Sequence, residues 1–119
     1  MKNFYSNIIN SNPKNLNKII KILKKNGIIS LPTETVYGLA GNAYSNISIK
    51  KIFNIKKRLK KNPLIIHYYS LNDAKKDVIL DKNFYAIYRK FSPGPLTYIL
   101  KKKKNSRIKP IACANLKTV

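Results

Sequence analysis

The apolar residues of this chain change rhythm several times, and that alternation constrains the fold more than any single motif does. In "NLNKIIKILKKNG", Leu16, Ile19, Ile20 and Leu23 fall at the i, i+3, i+4, i+7 spacing of one helix face. Asn12 or Asn15 is available as its N-cap, and Gly27 stands where a left-handed stop is wanted. "IISLP" then reads as a short buried strand ended by Pro32. "SNISIKKIFNIKKR" returns to helical spacing through Ile49, Ile52 and Phe53, and "PLIIHYY" is a second β-branched, aromatic strand. "SLNDAKKDVI" opens with Ser70 and Asp73 at capping-box spacing, which predicts a short helix. "KNFYAIYRKF" predicts another, with Phe84, Ile87, Tyr88 and Phe91 on one side. "SPGP" breaks it, and "LTYILKKKK" reads as a strand running into a basic turn. Helix, strand, helix, strand, helix, helix, strand is the order of an α/β sheet covered by helices. Neither repeats nor linkers interrupt it, so the 119 residues read as a single domain.

Charge narrows the partners. Against 25 basic residues stand 4 acidic ones, giving a net charge of +21. Such a surface suits a polyanion such as RNA. The same imbalance follows from AT-rich codon usage, since 22 of the basic residues are lysine and isoleucine and asparagine are also abundant. Composition leaves both explanations open. A single cysteine, Cys113, excludes an internal disulfide, and a single histidine, His67, excludes a Cys/His zinc cluster. The start "MKNFYSNIINSNPKN" has no signal-peptide pattern, and no apolar run approaches the roughly 18 residues of a membrane span. A cytoplasmic protein without membrane contact is the expectation. "KKKKNSRIK" reads as a solvated loop, and the final "IACANLKTV" as a strand cut in its middle.

Three stretches carry the candidate chemistry. Thr33, Glu34 and Thr35 follow a predicted strand end, where open α/β sheets gather ligand groups. Their hydroxyls suit a small zwitterion or bicarbonate, and Glu34 suits an ammonium group or a cation. A plain turn cap made by "PTET" explains the same residues. "YGLAGNA" supplies Gly38 and Gly41 for a tight turn or a close approach, but neither phosphate-loop pattern is present. "KKRLKKNPL" sets Lys56 and Arg58 at a helix C-terminus with Asn62 beyond, which is either dipole capping or phosphate recognition. Arginine is scarce here, with 3 in all, so Arg58 favours a task that needs the planar fork. His67, among apolar neighbours, suits binding better than general-base work.

Taken in order, "LPTETVYGLAGNA", "KKIFNIKKR...NPLIIH" and "FSPGPLTYILKK" resemble the YrdC-like domain of threonylcarbamoyl-adenylate synthases. The resemblance implies a twisted mixed sheet with covering helices around a positively charged cavity. It implies a nucleotidyltransferase that condenses L-threonine, bicarbonate and ATP, with Mg²⁺, into threonylcarbamoyl-adenylate and pyrophosphate. The product would pass to a threonylcarbamoyl-transferase complex that modifies tRNA, itself a candidate partner. By resemblance Thr35 and His67 would hold threonine; Lys56, Arg58, Asn62 and Thr118 would meet ATP; Thr33, Glu34 and Tyr37 would line the cavity. Two departures stand out. The arginine-bearing strand and Ser-x-Asn motif that follow in the family are not in this sequence, which implies a C-terminally incomplete domain unable to finish the adenylate. Leu59 stands where a proline commonly follows the arginine. The rival reading is a non-catalytic basic RNA-binding module. A carbamoyl-transfer protein of hydrogenase maturation would need zinc-finger segments that one cysteine cannot build.

Overall fold

The computed structural model describes residues 8–10 and 12–119. Helix α1, Pro13–Lys24, starts where Asn12 Oδ1 accepts from the Asn15 backbone N–H at 2.9 Å. Asn12 is therefore the cap, and Pro13 sits in the first turn, where its missing N–H costs nothing. The helix stop differs from expectation. Asn26, at φ 60°, takes the left-handed conformation, and Gly27 does not. Gly27 is needed for space, because a Cβ there would lie 2.5 Å from Ile22 Cγ2 and 2.7 Å from Ile22 O.

Strand β1, Ile28–Pro32, pairs antiparallel with β2, Tyr37–Gly41, in a register running from Ile28↔Gly41 to Pro32↔Tyr37. The glycine-bearing stretch, whose glycines suggested a tight turn or a close approach, is thus a strand, formed because β1 supplies its ladder. Helix α2, Asn46–Ile55, is capped by Ser45 and buries Ser48, Ile49, Ile52 and Phe53. It lies close on the hairpin because Gly41 lacks a side chain. A Cβ there would sit 3.2 Å from Ser48 Cβ and 3.3 Å from Ile28 Cγ2 and Ile52 Cδ1. Helix α3, Leu71–Asp77, begins at Ser70, whose hydroxyl accepts from the Asp73 N–H and donates to its carboxylate. Helix α4, Lys82–Phe91, is capped by Asp81, and a 3₁₀ turn spans Pro110–Cys113. Phe84 of α4 is buried in a ring cluster with Tyr88 and Tyr98, while Phe91 is half exposed rather than core.

The α/β class holds, but the hydrogen-bonded sheet among the described residues is this one antiparallel hairpin. The expected strand over 63–69 keeps a strand's alternation: Leu64, Ile66 and Tyr68 turn inward, while Ile65, His67 and Tyr69 are exposed. Among the described residues only Leu64 makes a backbone bond there, to Ala112 O at 2.8 Å, so they form no ladder with it. The "LTYILKKKK" stretch contributes two isolated bridges, Val78↔Lys102 and Lys101↔Thr118. Periodicity fixes which side chains face inward, whereas a strand also needs a neighbour to accept its hydrogen bonds.

The main core joins Ile49 and Phe53 of α2 to Ile108, Ala112 and Cys113, with Leu64, Ile66 and Tyr68 packed against it. Burial raises the pKa of the Cys113 thiol, consistent with a packing role. Beside this core lies Asp77, only 1% exposed. Its carboxylate accepts from Tyr44 Oη at 2.6 Å, Ser106 Oγ at 2.8 Å, the Arg107 N–H at 2.8 Å and Tyr68 Oη at 3.3 Å. Burial alone would raise its pKa, but these four donors outweigh burial and hold it below the usual carboxylate range.

Two stability outcomes follow from these buried polar groups. Because the folded pKa of Asp77 is depressed, its contribution is complete above the unfolded value near 3.9 and is lost as pH falls through the folded one. Asp77→Asn should therefore cost about 2 kcal/mol at pH 7 in urea unfolding, with the gap from wild type shrinking toward pH 3. A gap independent of pH would contradict a charged Asp77. Ser48 Oγ is the opposite case, fully buried with no hydrogen-bond partner among the described residues. Ser48→Ala should leave stability unchanged or raise it by about 1 kcal/mol, and a clear loss would reveal a partner for the hydroxyl.

Candidate functional site

The turn between the two strands is built around one hydroxyl. Thr33 Oγ1 donates to Val36 O at 2.5 Å and accepts from the backbone N–H groups of Val36 and Thr35 at 3.2 and 3.3 Å. Thr33 thus satisfies the turn's polar groups locally, as the turn-cap reading of "PTET" predicts. Thr35 Oγ1 lies 3.5 Å from Thr33 Oγ1, and Glu34, Thr35 and Tyr37 are all exposed.

The C-terminal end of α2 places the cations. Lys57 adopts φ 48°, the Lys57 N–H reaches Asn54 O at 3.2 Å, and the Arg58 N–H reaches Phe53 O at 3.0 Å. Those bonds form a Schellman motif with lysine at the left-handed position. It turns Arg58 back over its own loop, where Nε donates to Asn62 O at 3.3 Å and Nη2 to Pro63 O at 3.0 Å. A further backbone bond, Asn62 N–H to Leu59 O at 3.0 Å, closes the loop that has Leu59 after the arginine. Nη1 makes no protein hydrogen bond among the described residues, so one edge of the fork stays available for an anion.

Between the hairpin, α2 and the 63–68 segment lies a cavity of about 710 Å³. That volume suits a small-molecule ligand. Thr33, Lys56, Arg58 and His67 line it, over an apolar floor that includes Leu39, Ile49, Ile52 and Ile66. Of the other candidates, Glu34, Thr35, Tyr37 and Asn62 are not among its lining residues. Thr118 lines a second cavity of about 530 Å³, and His67 borders both. Tyr44 and Tyr68, which the sequence reading did not single out, form part of the first cavity's wall. Burial, then the hydrogen bond to Asp77, push the Tyr44 phenol up to about 12, and burial beside Asp77 raises Tyr68 as well. Both remain protonated donors to the carboxylate at neutral pH. The Arg107 guanidinium lies 4.7 Å above the Tyr44 ring and covers its outer face. Scarcity was the available signal: three aspartates in a lysine-rich chain invite the same question that was asked of Arg58.

The site is thus a ligand-sized cavity in a helix-flanked α/β unit, with Lys56 and Arg58 among its lining residues. The chain belongs to the Sua5/YciO/YrdC family, whose model, described as "Telomere recombination", matches residues 21–119. A Methanocaldococcus jannaschii relative is 37% identical over 107 residues, covering 87% of this chain and 52% of its own length. The threonylcarbamoyl-AMP synthase of Bacillus subtilis is 33% identical over 113 residues, 93% of this chain and 32% of its own. This chain thus spans about half of the first relative's length and about a third of the second's. Pyrococcus abyssi Sua5 complexed with L-threonine superposes with a TM-score of 0.82 at 29% identity, over 93% of this chain and 32% of that one. Escherichia coli YciO, at 20% identity and a TM-score of 0.77 over 92% of this chain and 53% of that one, shares the fold.

The turn geometry sets a clean comparison. Thr33→Ala should destabilise the chain by about 1 kcal/mol, and Thr33→Ser should recover most of it, because the hydroxyl alone makes the three bonds. Thr35→Ala should be nearly silent in the same denaturation experiment. A larger loss at Thr35 than at Thr33 would show that the turn is held otherwise.

Proposed function

We propose that this chain supplies the threonine and phosphate contacts of a threonylcarbamoyl-AMP synthase, a nucleotidyltransferase serving tRNA modification. One observation carries the reading: Thr33, Lys56, Arg58 and His67 meet around a single cavity in a chain of this family. The threonine-bound relative adds weight to an amino-acid ligand. In the reaction, the threonine amine adds to bicarbonate with loss of water. The resulting carbamate oxygen attacks the α-phosphorus of ATP and displaces pyrophosphate. Positioning and charge neutralisation dominate such a step, so cations and hydrogen-bond donors serve where a nucleophilic triad would be idle.

The proposed roles fall on and around the first cavity, with Thr118 on the second. Arg58 presents its open edge to the ATP phosphates beside Lys56, with Asn62 in the same loop and Thr118 as a further nucleotide neighbour. Thr35 and His67 are the proposed threonine contacts, and Thr33, Glu34 and Tyr37 flank the mouth. Among the described residues no three His, Cys, Asp or Glu side chains cluster as a metal cage. Magnesium fits here as the ATP complex, ligated by phosphate and water oxygens. Among the described residues no helix is long and apolar enough to cross a membrane, and the cytoplasm is the proposed compartment. Affinity for tRNA, or for double-stranded RNA, is proposed as an electrostatic property of the +21 charge, steep in salt. The inward packing of Phe84, Tyr88 and Tyr98 speaks against an aromatic stacking platform as the main function.

Calorimetry on this chain with Mg-ATP and with L-threonine separates the roles. Arg58→Ala should weaken ATP binding by about tenfold or more while changing threonine binding by less than about threefold. Arg58→Lys, which keeps the charge but not the fork, should recover part of the ATP affinity. Equal losses for both ligands would overturn the phosphate assignment, and absence of binding by either ligand would overturn the reading for this chain.

A further inference from the structure

Of the 15 asparagines in the chain, Asn26 alone precedes a glycine. That pairing has a chemistry of its own. The backbone nitrogen of the following residue can attack the carbonyl carbon of the asparagine side chain and close a succinimide ring. A glycine, with no Cβ in the way, opposes that approach least. The Asn26 side-chain amide makes no hydrogen bond among the described residues, so no partner there holds it away from such an attack.

The fold restrains the other reactant instead. Asn26, at φ 60°, and Gly27 close α1 as a Schellman motif. The Asn26 N–H donates to Leu23 O at 3.1 Å and the Gly27 N–H to Ile22 O at 2.9 Å. The nitrogen that would attack is therefore spent on a helix carbonyl. Tight packing keeps it there, since even a Cβ on Gly27 would lie 2.5 Å from Ile22 Cγ2. A second element reaches the same peptide group: Lys51 Nζ, from α2, donates to Asn26 O at 2.9 Å. One peptide plane is thus held at its nitrogen by α1 and at its oxygen by α2. Ring closure needs this plane to turn about the Asn26 Cα–C bond until the nitrogen meets the side chain, and both bonds oppose the turn.

We propose that Asn26 is a deamidation site gated by opening of the α1 cap, with Lys51 as the latch on the reacting peptide group. In the open cap, water or hydroxide removes the Gly27 amide proton. A bond forms between Gly27 N and Asn26 Cγ, and the Cγ–Nδ2 bond breaks with ammonia as the leaving group. Water then opens the succinimide at one of its two carbonyls, leaving aspartate or isoaspartate at position 26. Either product sets a carboxylate at the C-terminal end of α1, where the helix dipole disfavours it. Isoaspartate also adds a methylene to the main chain just before β1 begins at Ile28. None of these groups belongs to the proposed threonine and ATP contacts, so the two readings stand or fall separately.

Peptide mapping by mass spectrometry, after incubation of the chain at mildly alkaline pH, reads the site, and hydrogen–deuterium exchange of the Gly27 amide reads the cap. Aspartate and isoaspartate should accumulate at position 26 faster than at any other asparagine in urea, and at least about tenfold more slowly in the native chain. Lys51→Met should raise the native deamidation rate and the Gly27 exchange rate together by about threefold, and leave the rate in urea unchanged. Lys51→Arg, which keeps a donor, should stay close to wild type. Amides of the β1–β2 ladder should exchange as before in both variants, which separates opening of the cap from general loosening. Equal deamidation in the native chain and in urea would overturn the gate, and absence of product at position 26 in urea would overturn the site. An unchanged Gly27 exchange rate in Lys51→Met, or an equal rise at the ladder amides, would overturn the latch. Faster exchange without faster deamidation would overturn the link between the cap and the chemistry.

Discussion

One buried carboxylate connects parts of the chain that share no secondary structure. Asp77 ends α3, and its oxygens gather Tyr44 from the region after β2, Tyr68 from the 63–69 segment, and Ser106 and Arg107 from the basic loop. Its own carbonyl accepts from the Lys103 N–H at 2.7 Å, fixing the loop from a second side. A buried carboxylate is costly unless its lone pairs are filled, and here four donors fill them. The cost of leaving them unfilled makes the arrangement specific, since displacing any one segment strands a polar group in the interior. With just a two-stranded hairpin as regular sheet, this network and the α2 core do much of the work that a wider sheet would do.

The same accounting explains the field in the first cavity. Asp73 is engaged by Lys76 at 2.7 Å and by Ser70, Asp77 by its network, and Asp81 by the cap of α4. Glu34 sits exposed in the hairpin turn. Each aspartate therefore has a structural task, and Lys76–Asp73 is the one ion pair among the described residues. Lys56 and Arg58, which line the cavity, have no acidic partner among the described residues, so their charge is left for a ligand. AT-rich codon usage is the simpler source of those lysines, and selection for an anion would give the same charge. Physically the outcome is the same, a mouth that attracts phosphate and carboxylate groups.

How much of this was legible in sequence depended on range. Local signals placed the helices: the Leu16, Ile19, Ile20 and Leu23 spacing marks α1, although Leu16 and Ile20 stay exposed, and the Ser70 cap and the Ser45–Ile55 helix also arise within a few residues of chain. Partner-dependent features did not. Strand β2 was invisible because glycines in "YGLAG" lower its intrinsic preference, and only the register with β1 makes it a strand. Residues 63–69 erred the other way, strand-like in pattern but without a ladder. At the site, Thr33, Lys56, Arg58 and His67 were named from local motifs and meet at one cavity. Asp77 escaped because its contacts to Tyr44 and Arg107 span 33 and 30 residues of sequence, which no periodicity reports.

The 63–69 segment is finally a wall shared by two cavities, and its anchoring is uneven. Its start is tied by Arg58 to Pro63 O and by the Leu64 N–H to Ala112 O. Near its end, Tyr68 is tied to Asp77. Between these anchors Ile65, Ile66 and His67 have side-chain packing but no backbone bonds among the described residues. His67, which borders both cavities, therefore sits at the least restrained point of the wall.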